Sequence, residues 1–169
     1  MGASSKRKAR AAVRYYPLLL DVKRRRCVIF GGGKVAERKA RRLISFGAEV
    51  RIYSPLLTEG LQELADSGEI TYVRRKYAPA LLKNAYLVFA ATSSKRINRA
   101  IAQESTRRGI PVNCVTSARD STFILPSIVE LENCLISIST GGKSPSLAKK
   151  LRQRLTRYMA QLLMEREGD

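Results

Sequence analysis

Apolar residues along the chain fall into two patterns, short continuous runs and stripes with a helical period. Five runs predict the strands of a sheet: Cys27–Phe30, Glu49–Tyr53, Ile70–Val73, Tyr86–Ala91 and Pro111–Val115. Stripes between them predict helices over Lys34–Phe46, Leu56–Ala65 and Arg96–Arg108, with a helical turn at Pro79–Lys83. Because strand and helix alternate and the connections are short, we expect an α/β domain with a parallel sheet and right-handed crossovers.

The pattern changes after Val115. The runs Phe123–Leu131 and Leu135–Ser139 predict a strand pair outside the repeat, and a basic helix is predicted from about Leu147 to Met164. Two strands and one helix are too little for an independent core, so we expect this region to pack against a second copy of the chain. The predicted organisation is a disordered basic arm over 1–14, the α/β domain over 15–115, dimerisation strands over 116–145 and a C-terminal basic helix over 146–169.

The first predicted strand leads directly into three glycines. Gly31, Gly33 and Ala36 follow the spacing G-x-G-x-x-A, which between a strand and a helix is typical of a dinucleotide-binding turn. Gly31 allows a tight turn, Gly33 allows a diphosphate to approach the backbone, and Ala36 allows the helix to pack on the strand. The alternative is a plain strand-to-helix turn. The expected fold class is therefore α/β: a Rossmann-type parallel sheet with a small α+β dimerisation region and a C-terminal helix.

Composition adds a strong basic charge. The 169 residues carry a formal net charge of +18 and include no His. Such a charge attracts polyanions, either nucleic acid or a small substrate with many carboxylates. Without His, the commonest metal ligand and general base are missing, and no metal site is predicted. Three scattered cysteines fit neither a disulfide framework nor a zinc spacing, so we expect buried thiols in a reducing cytoplasm. No apolar run is long enough for a membrane span, so no membrane partner is expected.

Polar residues at the predicted strand ends are candidates for ligand contacts. Thr92 and Ser93 follow the fourth strand and either line a cofactor crevice or cap the next helix; Asn113 either contacts a ligand or forms a turn. Ser54 and Pro55 stand where a ribose-binding carboxylate is usual, so the pattern does not choose NAD over NADP. The segment Thr140–Ser144 lacks the G-x-x-x-x-G-K spacing of nucleoside triphosphatases but can form an anion-binding nest; otherwise it begins a solvated basic helix.

Several stretches together resemble the precorrin-2 dehydrogenase family, which includes the N-terminal part of siroheme synthase. They are Tyr16–Asp21, Gly31–Lys39, Ala90–Thr92, Pro111–Asn113, Phe123–Ile128 and Ile138–Pro145. The resemblance implies a homodimer whose NAD-binding Rossmann domain supports oxidation of precorrin-2 to sirohydrochlorin on the route to siroheme. It implies a tetrapyrrole substrate with eight carboxylates. Some family members also insert ferrous iron, and this activity is left open here.

The resemblance and the residue patterns give these expected sites. Cofactor-binding residues are Gly31, Gly32, Gly33, Lys34, Val35, Ser54, Pro55, Leu56, Thr92 and Ser93; substrate-binding residues are Thr140, Gly141, Gly142, Lys143 and Ser144. Lys34, Val35, Pro55 and Leu56 are carried over from the resemblance.

The sequence departs from the family at a position implicated in catalysis. Family members usually carry an Asp where this chain has Thr116, and Asp120 lies four residues further on. The candidate catalytic residues are therefore Asp120, Asn113 and Thr116, which occupies the position of the family Asp. The predicted C-terminal helix is also short relative to the family. Two alternatives follow: a non-catalytic partner that binds NAD and tetrapyrrole, and a nucleic-acid-binding protein, which the scarcity of aromatic residues among the basic ones disfavours.

Overall fold

The computed structural model describes residues 15–131 and 134–166, so the predicted basic arm over 1–14 lies outside the described residues. The strands are β1 Arg26–Phe30, β2 Glu49–Tyr53, β3 Ile70–Val73, β4 Leu87–Ala90, β5 Val112–Cys114, β6 Ser127–Leu131 and β7 Cys134–Ile138. The α-helices are α1 Lys34–Ser45, α2 Glu59–Asp66, α3 Lys95–Arg107 and α4 Pro145–Arg166. Short 3₁₀ turns cover Pro79–Leu82 and Ala118–Asp120.

The first five strands form a parallel sheet in the order β3-β2-β1-β4-β5. The chain runs outward from β1 to β3, then crosses back to place β4 beside β1. The strand order therefore reverses between β1 and β4, which is where an open α/β sheet binds its ligand, beyond the carboxyl ends of the strands. The predicted Rossmann-type fold is confirmed.

The sheet is buried on both faces, which explains the continuous apolar runs in its strands. Ile29, Ile52 and Phe89 face the side covered by α1 and α2, where Ala36 and Ala40 allow α1 to pack closely. Phe30 and Val88 face the side covered by α3. Each of these residues is at most 1% exposed, so the sheet rigidly positions the loops at its carboxyl edge.

Helix α2 begins at Glu59, and the prediction that it begins at Leu56 is wrong. The Thr58 carbonyl accepts the first helical hydrogen bonds, from Leu61 and Gln62, while the Thr58 amide donates to the Gly32 carbonyl at 2.8 Å. That bond holds the segment before α2 out of the helix and against the glycine loop.

The predicted strand over Phe123–Leu131 begins only at Ser127. Phe123 does not pair in β6; its ring packs edge-to-face on Phe89 at 5.6 Å between ring centroids. The preceding residues cover the open edge of β5: the Val112 amide donates to Thr122 Oγ1 at 2.8 Å, and the Cys114 amide donates to Ser121 Oγ at 2.9 Å. Residues 116–124, which the sequence analysis assigned to the dimerisation region, thus pack with the parallel sheet, and the compact unit spans 19–124.

The second compact unit contains residues 15–18 and the described residues from 125 onwards. Strands β6 and β7 pair antiparallel, and α4 packs on them, with Val129 and Ala148 buried. Other apolar side chains of this unit are exposed, among them Leu125, Leu147 and Tyr158.

The cysteines differ in exposure. Cys27 and Cys114 are buried as expected, and burial raises the pKa of the Cys27 thiol to about 11, which makes it a poor nucleophile. Cys134 is exposed, contrary to expectation, because it begins β7 in the two-stranded sheet rather than in a covered core. Within the described ranges, no helix is both long enough and apolar enough to cross a membrane.

The hydroxyl cover on β5 makes a stability prediction. Val112 is fully buried, so Thr122→Val leaves its amide without the Thr122 Oγ1 acceptor, which should cost about 1–3 kcal/mol of unfolding free energy. Thr106→Val, at an exposed site on α3, is the matched control and should change stability by less than about 0.5 kcal/mol. Urea titrations measure both, and equal stabilities for the two variants would contradict the role assigned to Thr122.

Candidate dinucleotide-binding site

The three glycines between β1 and α1 have three different surroundings. Gly31 has φ +122°, and a Cβ there would overlap the Ala91 carbonyl at the end of β4. A Cβ on Gly32 would overlap the Leu56 carbonyl in the loop after β2. A Cβ on Gly33 would meet no atom within 4 Å. The first two glycines therefore allow close backbone packing, while the third leaves open space beside the start of α1.

The open side of Gly33 lies at the N-terminus of α1. Gly33 is the N-cap residue, its carbonyl accepts the Glu37 amide at 3.0 Å, and no side chain caps the helix there. The amides of the first turn have no partner within the helix, and the helix dipole places partial positive charge beside them. Lys34 and Val35 in this turn are exposed. The residues therefore fit a diphosphate, because backbone donors face space that a side chain would otherwise fill.

Glu37 ties α1 to the loop after β2. Thr58 Oγ1 donates to Glu37 Oε2 at 2.8 Å, and the Arg41 guanidinium donates to Glu37 Oε1 at 3.0 Å. The Thr58 hydrogen bond, followed by Arg41, lowers the pKa of the Glu37 carboxyl, so this group stays ionised. One carboxylate thereby fixes the wall of the glycine loop on the β2 side.

The loop after β2 presents apolar residues rather than a carboxylate. Ser54 is 6% exposed, and its Oγ lies beside Gly32; Pro55 and Leu56 are exposed. Tyr72 Oη donates to the Ser54 carbonyl at 3.1 Å, which fixes this loop from β3. Pro55 and Leu56 therefore lie beside the glycine turn, as the prediction for these residues requires, whereas the Ser54 hydroxyl points into the loop packing.

A buried asparagine fixes the loops after β4 and β5. Asn98 is fully buried, and its Oδ1 accepts hydrogen bonds from the Thr92 amide at 2.9 Å and from Thr92 Oγ1 at 2.7 Å. Asn98 Nδ2 donates to the Thr92 carbonyl at 3.0 Å and to Thr116 Oγ1 at 3.4 Å. The Thr92 hydroxyl is thus engaged within the protein, while Ser93 is exposed and Ser94 caps α3. The sequence analysis missed Asn98; the available signal was an amide residue on the apolar face of α3.

Asn113 is the middle residue of β5 and pairs with Phe89 of β4. Its Oδ1 accepts a hydrogen bond from Lys39 Nζ at 2.9 Å, and its Nδ2 donates to the Phe123 carbonyl at 3.1 Å. Lys39 Nζ also lies 5.0 Å from the centroid of the Phe89 ring. Burial, and secondarily the charge of Arg38, lowers the pKa of Lys39 to about 8. The helical pattern of α1 does not single out Lys39, yet its side chain lies against the sheet.

The candidate catalytic residues follow β5. Thr116 is exposed; its hydroxyl accepts from Asn98 and contacts Cys114 Sγ at 3.4 Å. Asp120 is half-buried and ends the 3₁₀ turn, where its amide donates to Ser117 Oγ at 3.3 Å. In the described part of the chain, no group of three or more His, Cys, Asp or Glu side chains could hold a metal ion.

The predicted substrate loop lies in the second compact unit. Gly141 and Gly142 have φ of +62° and +78°, conformations that favour glycine. Ser144 accepts the Leu147 amide at the start of α4, and the Ser144 amide donates to Thr140 Oγ1 at 3.0 Å. The side chain of Lys143 is exposed. Residues Thr140–Ser144 therefore form one hydrogen-bonded turn, from which the Lys143 side chain is exposed.

Comparisons with known proteins agree with this architecture. The family model described as "Putative NAD(P)-binding" matches residues 18–127, and the model described as "Sirohaem biosynthesis protein central" matches residues 136–158. The siroheme synthase of Chromobacterium violaceum is 40% identical over 141 residues, which cover 83% of this chain and 30% of that protein. The siroheme synthase of Nitrosococcus oceani is 40% identical over 149 residues, 88% of this chain and 32% of that one.

A solved structure matches over most of the chain. The structure titled "SirC, precorrin-2 dehydrogenase" superposes with a TM-score of 0.72 at 26% identity, covering 89% of this chain and 78% of that one. The chain spans about a third of the length of the curated relatives that it matches. Its glycine turn, its sheet order and these matches lead to one conclusion: the chain belongs to the NAD(P)-binding family of siroheme synthases and precorrin-2 dehydrogenases.

Proposed function

We propose that this chain catalyses the NAD-dependent oxidation of precorrin-2 to sirohydrochlorin. The observation that carries the proposal is the open space at Gly33, beside unpaired helix amides, in a chain that resembles a precorrin-2 dehydrogenase over 89% of its length. The relatives named siroheme synthase support the same pathway. Ferrochelation is not part of the proposal.

The residues have separate tasks in this reaction. The amides of Gly33, Lys34 and Val35 bind the diphosphate, and Pro55 and Leu56 contact the adenosine side. When bound, NAD supplies the hydride acceptor.

Asn98 holds Thr92 and Thr116 so that the loops after β4 and β5 keep their shape around the reacting carbon. The proton leaves to water or to Asp120, so positioning provides most of the acceleration. Thr140–Ser144 binds substrate carboxylates through Lys143 and backbone amides.

We further propose that the chain acts as a homodimer in the cytoplasm. A two-stranded sheet is marginally stable alone. In the second compact unit, Leu125 and Leu147 are each 48% exposed and Tyr158 is 56% exposed, so this unit presents apolar surface for a second copy. NAD chemistry on a soluble tetrapyrrole suits the cytoplasm.

The alternative of a non-catalytic partner rests on Thr116. A threonine hydroxyl cannot act as a carboxylate base at neutral pH, and the Thr116 hydroxyl is already bonded to Asn98. The nucleic-acid alternative is not favoured by the family matches.

The Gly33 opening predicts a binding defect without a folding defect. Gly33→Ala places a methyl group where the diphosphate approaches and should weaken NAD binding by about tenfold or more, measured by calorimetry. Its melting temperature should equal that of the unaltered chain, because the added Cβ meets no protein atom within 4 Å. Gly32→Ala is the contrasting variant: its Cβ overlaps the Leu56 carbonyl, and it should lose about 1–3 kcal/mol of stability. Unchanged NAD affinity in Gly33→Ala would contradict the proposal that the diphosphate binds at this turn.

Turnover tests the activity. Purified protein with NAD and precorrin-2 under anaerobic conditions should give the sirohydrochlorin absorbance spectrum. Thr116→Asp should alter the rate by less than about tenfold if positioning dominates, and Thr116→Asn controls for disturbance of the Asn98 contact. The opposite result would be an unaltered chain that folds and binds NAD but gives no turnover. If Thr116→Asp then gained activity and Thr116→Asn did not, the chain would be the non-catalytic partner instead.

A further inference from the structure

Among the residues that the structure describes, Lys39 is a cation without an acidic partner. Its Nζ bonds to a neutral amide oxygen, that of Asn113 at 2.9 Å, and its other near neighbour is the Phe89 ring. In the part of the chain that the structure describes, no salt bridge joins Lys39 to a carboxylate. Half-buried charges are normally paired, so the site favours an external anion.

The position of Lys39 is fixed before any ligand arrives. Asn113 cannot rotate freely because its Nδ2 donates to the Phe123 carbonyl at 3.1 Å, and the Phe123 ring packs on Phe89. The ammonium is therefore held by β4, β5 and the segment after β5. A prepositioned donor binds a carboxylate without the entropy cost of ordering a free lysine.

The location of this group suits the substrate rather than the diphosphate. Side chains of α1 point back towards the helix N-terminus, where the Gly33 opening lies. Asn113 pairs with Phe89, one residue before the last paired residues of β4 and β5. The adenosine half of a dinucleotide lies on the β2 side of the switch point, which leaves the β4 and β5 side for the nicotinamide and the molecule beside it.

We propose that Lys39 binds one carboxylate of the tetrapyrrole substrate. This inference rests on the proposed function for the identity of the substrate, and it assigns a specificity-determining contact to the compact unit that spans residues 19–124. Asn113 then acts as a positioning residue for Lys39 rather than as a ligand contact.

The electrostatic surroundings give this contact a pH signature. Burial, and secondarily the charge of Arg38 on the same helix, lowers the pKa of Lys39. Lys39 contacts Phe89 of β4 and Asn113 of β5, and Phe123 of the following segment supports both; none of these three side chains titrates. Lys39 is charged below its pKa of about 8 and neutral above it. Carboxylate affinity should therefore be full below pH 8 and decline above it, while ordinary lysines, with a pKa near 10.4, remain charged.

Binding of uroporphyrin I, an octacarboxylate whose macrocycle is already fully conjugated, tests this contact between pH 6.5 and 9.5. Porphyrin fluorescence reports affinity. At pH 7, Lys39→Gln should weaken binding roughly tenfold to a hundredfold. Lys39→Arg should retain most of the affinity and lose the decline above pH 8, because a guanidinium does not deprotonate there. Lys83→Gln, at an exposed lysine in the same compact unit, is the matched control and should match the unaltered chain.

Precorrin-2 kinetics separate this inference from the proposed function. If Lys39 binds a carboxylate, Lys39→Gln raises KM with little change in kcat, and Lys39→Arg restores KM. A fall in kcat in both variants at unchanged KM would make Lys39 a proton carrier and overturn the proposal. Equal uroporphyrin affinity in Lys39→Gln and Lys83→Gln would also overturn it. Absence of precorrin-2 turnover in the unaltered chain, with Lys39-dependent porphyrin binding intact, would instead refute the proposed dehydrogenase.

Discussion

The site depends on a close contact among three backbone segments at the switch point of the sheet. Gly31 lies against the carbonyl that ends β4, and Gly32 lies against the loop after β2, to which its carbonyl is hydrogen bonded. A side chain at either position would separate the strands' ends. Because these contacts hold the turn tightly against the sheet, Gly33 and the first amides of α1 face outward, and the helix dipole is directed at a space of fixed shape. The proposed cofactor site is thus formed by backbone packing rather than by dedicated side chains.

Charge complements this backbone site. The excess of 18 positive charges has a physical purpose if the ligand is a polycarboxylate, since the field raises its local concentration. Long-range attraction alone does not orient a ligand, however. Orientation requires cations held in place, and Lys39 is held by Asn113 and Phe89, whereas Lys143 stands exposed at the tip of a rigid glycine turn. The two lysines therefore differ in how much entropy a carboxylate contact would cost.

Sequence reasoning recovered the fold because the strands are buried on both faces and their apolar runs are unambiguous. The spacing of the turn also predicts the tight turn at Gly31, where φ is +122°, and it agrees with the open Cβ direction at Gly33; diphosphate binding there stays a prediction. It could not recover Asn98 or Lys39. Both side chains are defined by partners 6 to 74 residues away, Thr92 and Asn113, and helical periodicity reports only which face a residue occupies. The start of α2 was misplaced for the same reason: a single hydrogen bond from Thr58 to Gly32 keeps that segment extended.

The central claim is that the N-terminal amides of α1 hold the diphosphate of the cofactor. Titration of isotopically labelled protein with NAD, followed by amide NMR shifts, tests it most directly because each backbone N–H is observed separately. The account predicts that Gly33, Lys34 and Val35 show the largest shifts, with smaller ones at Pro55-flanking residues and in the loop after β4. Saturable NAD binding that leaves these three amides unmoved and shifts others instead would contradict it.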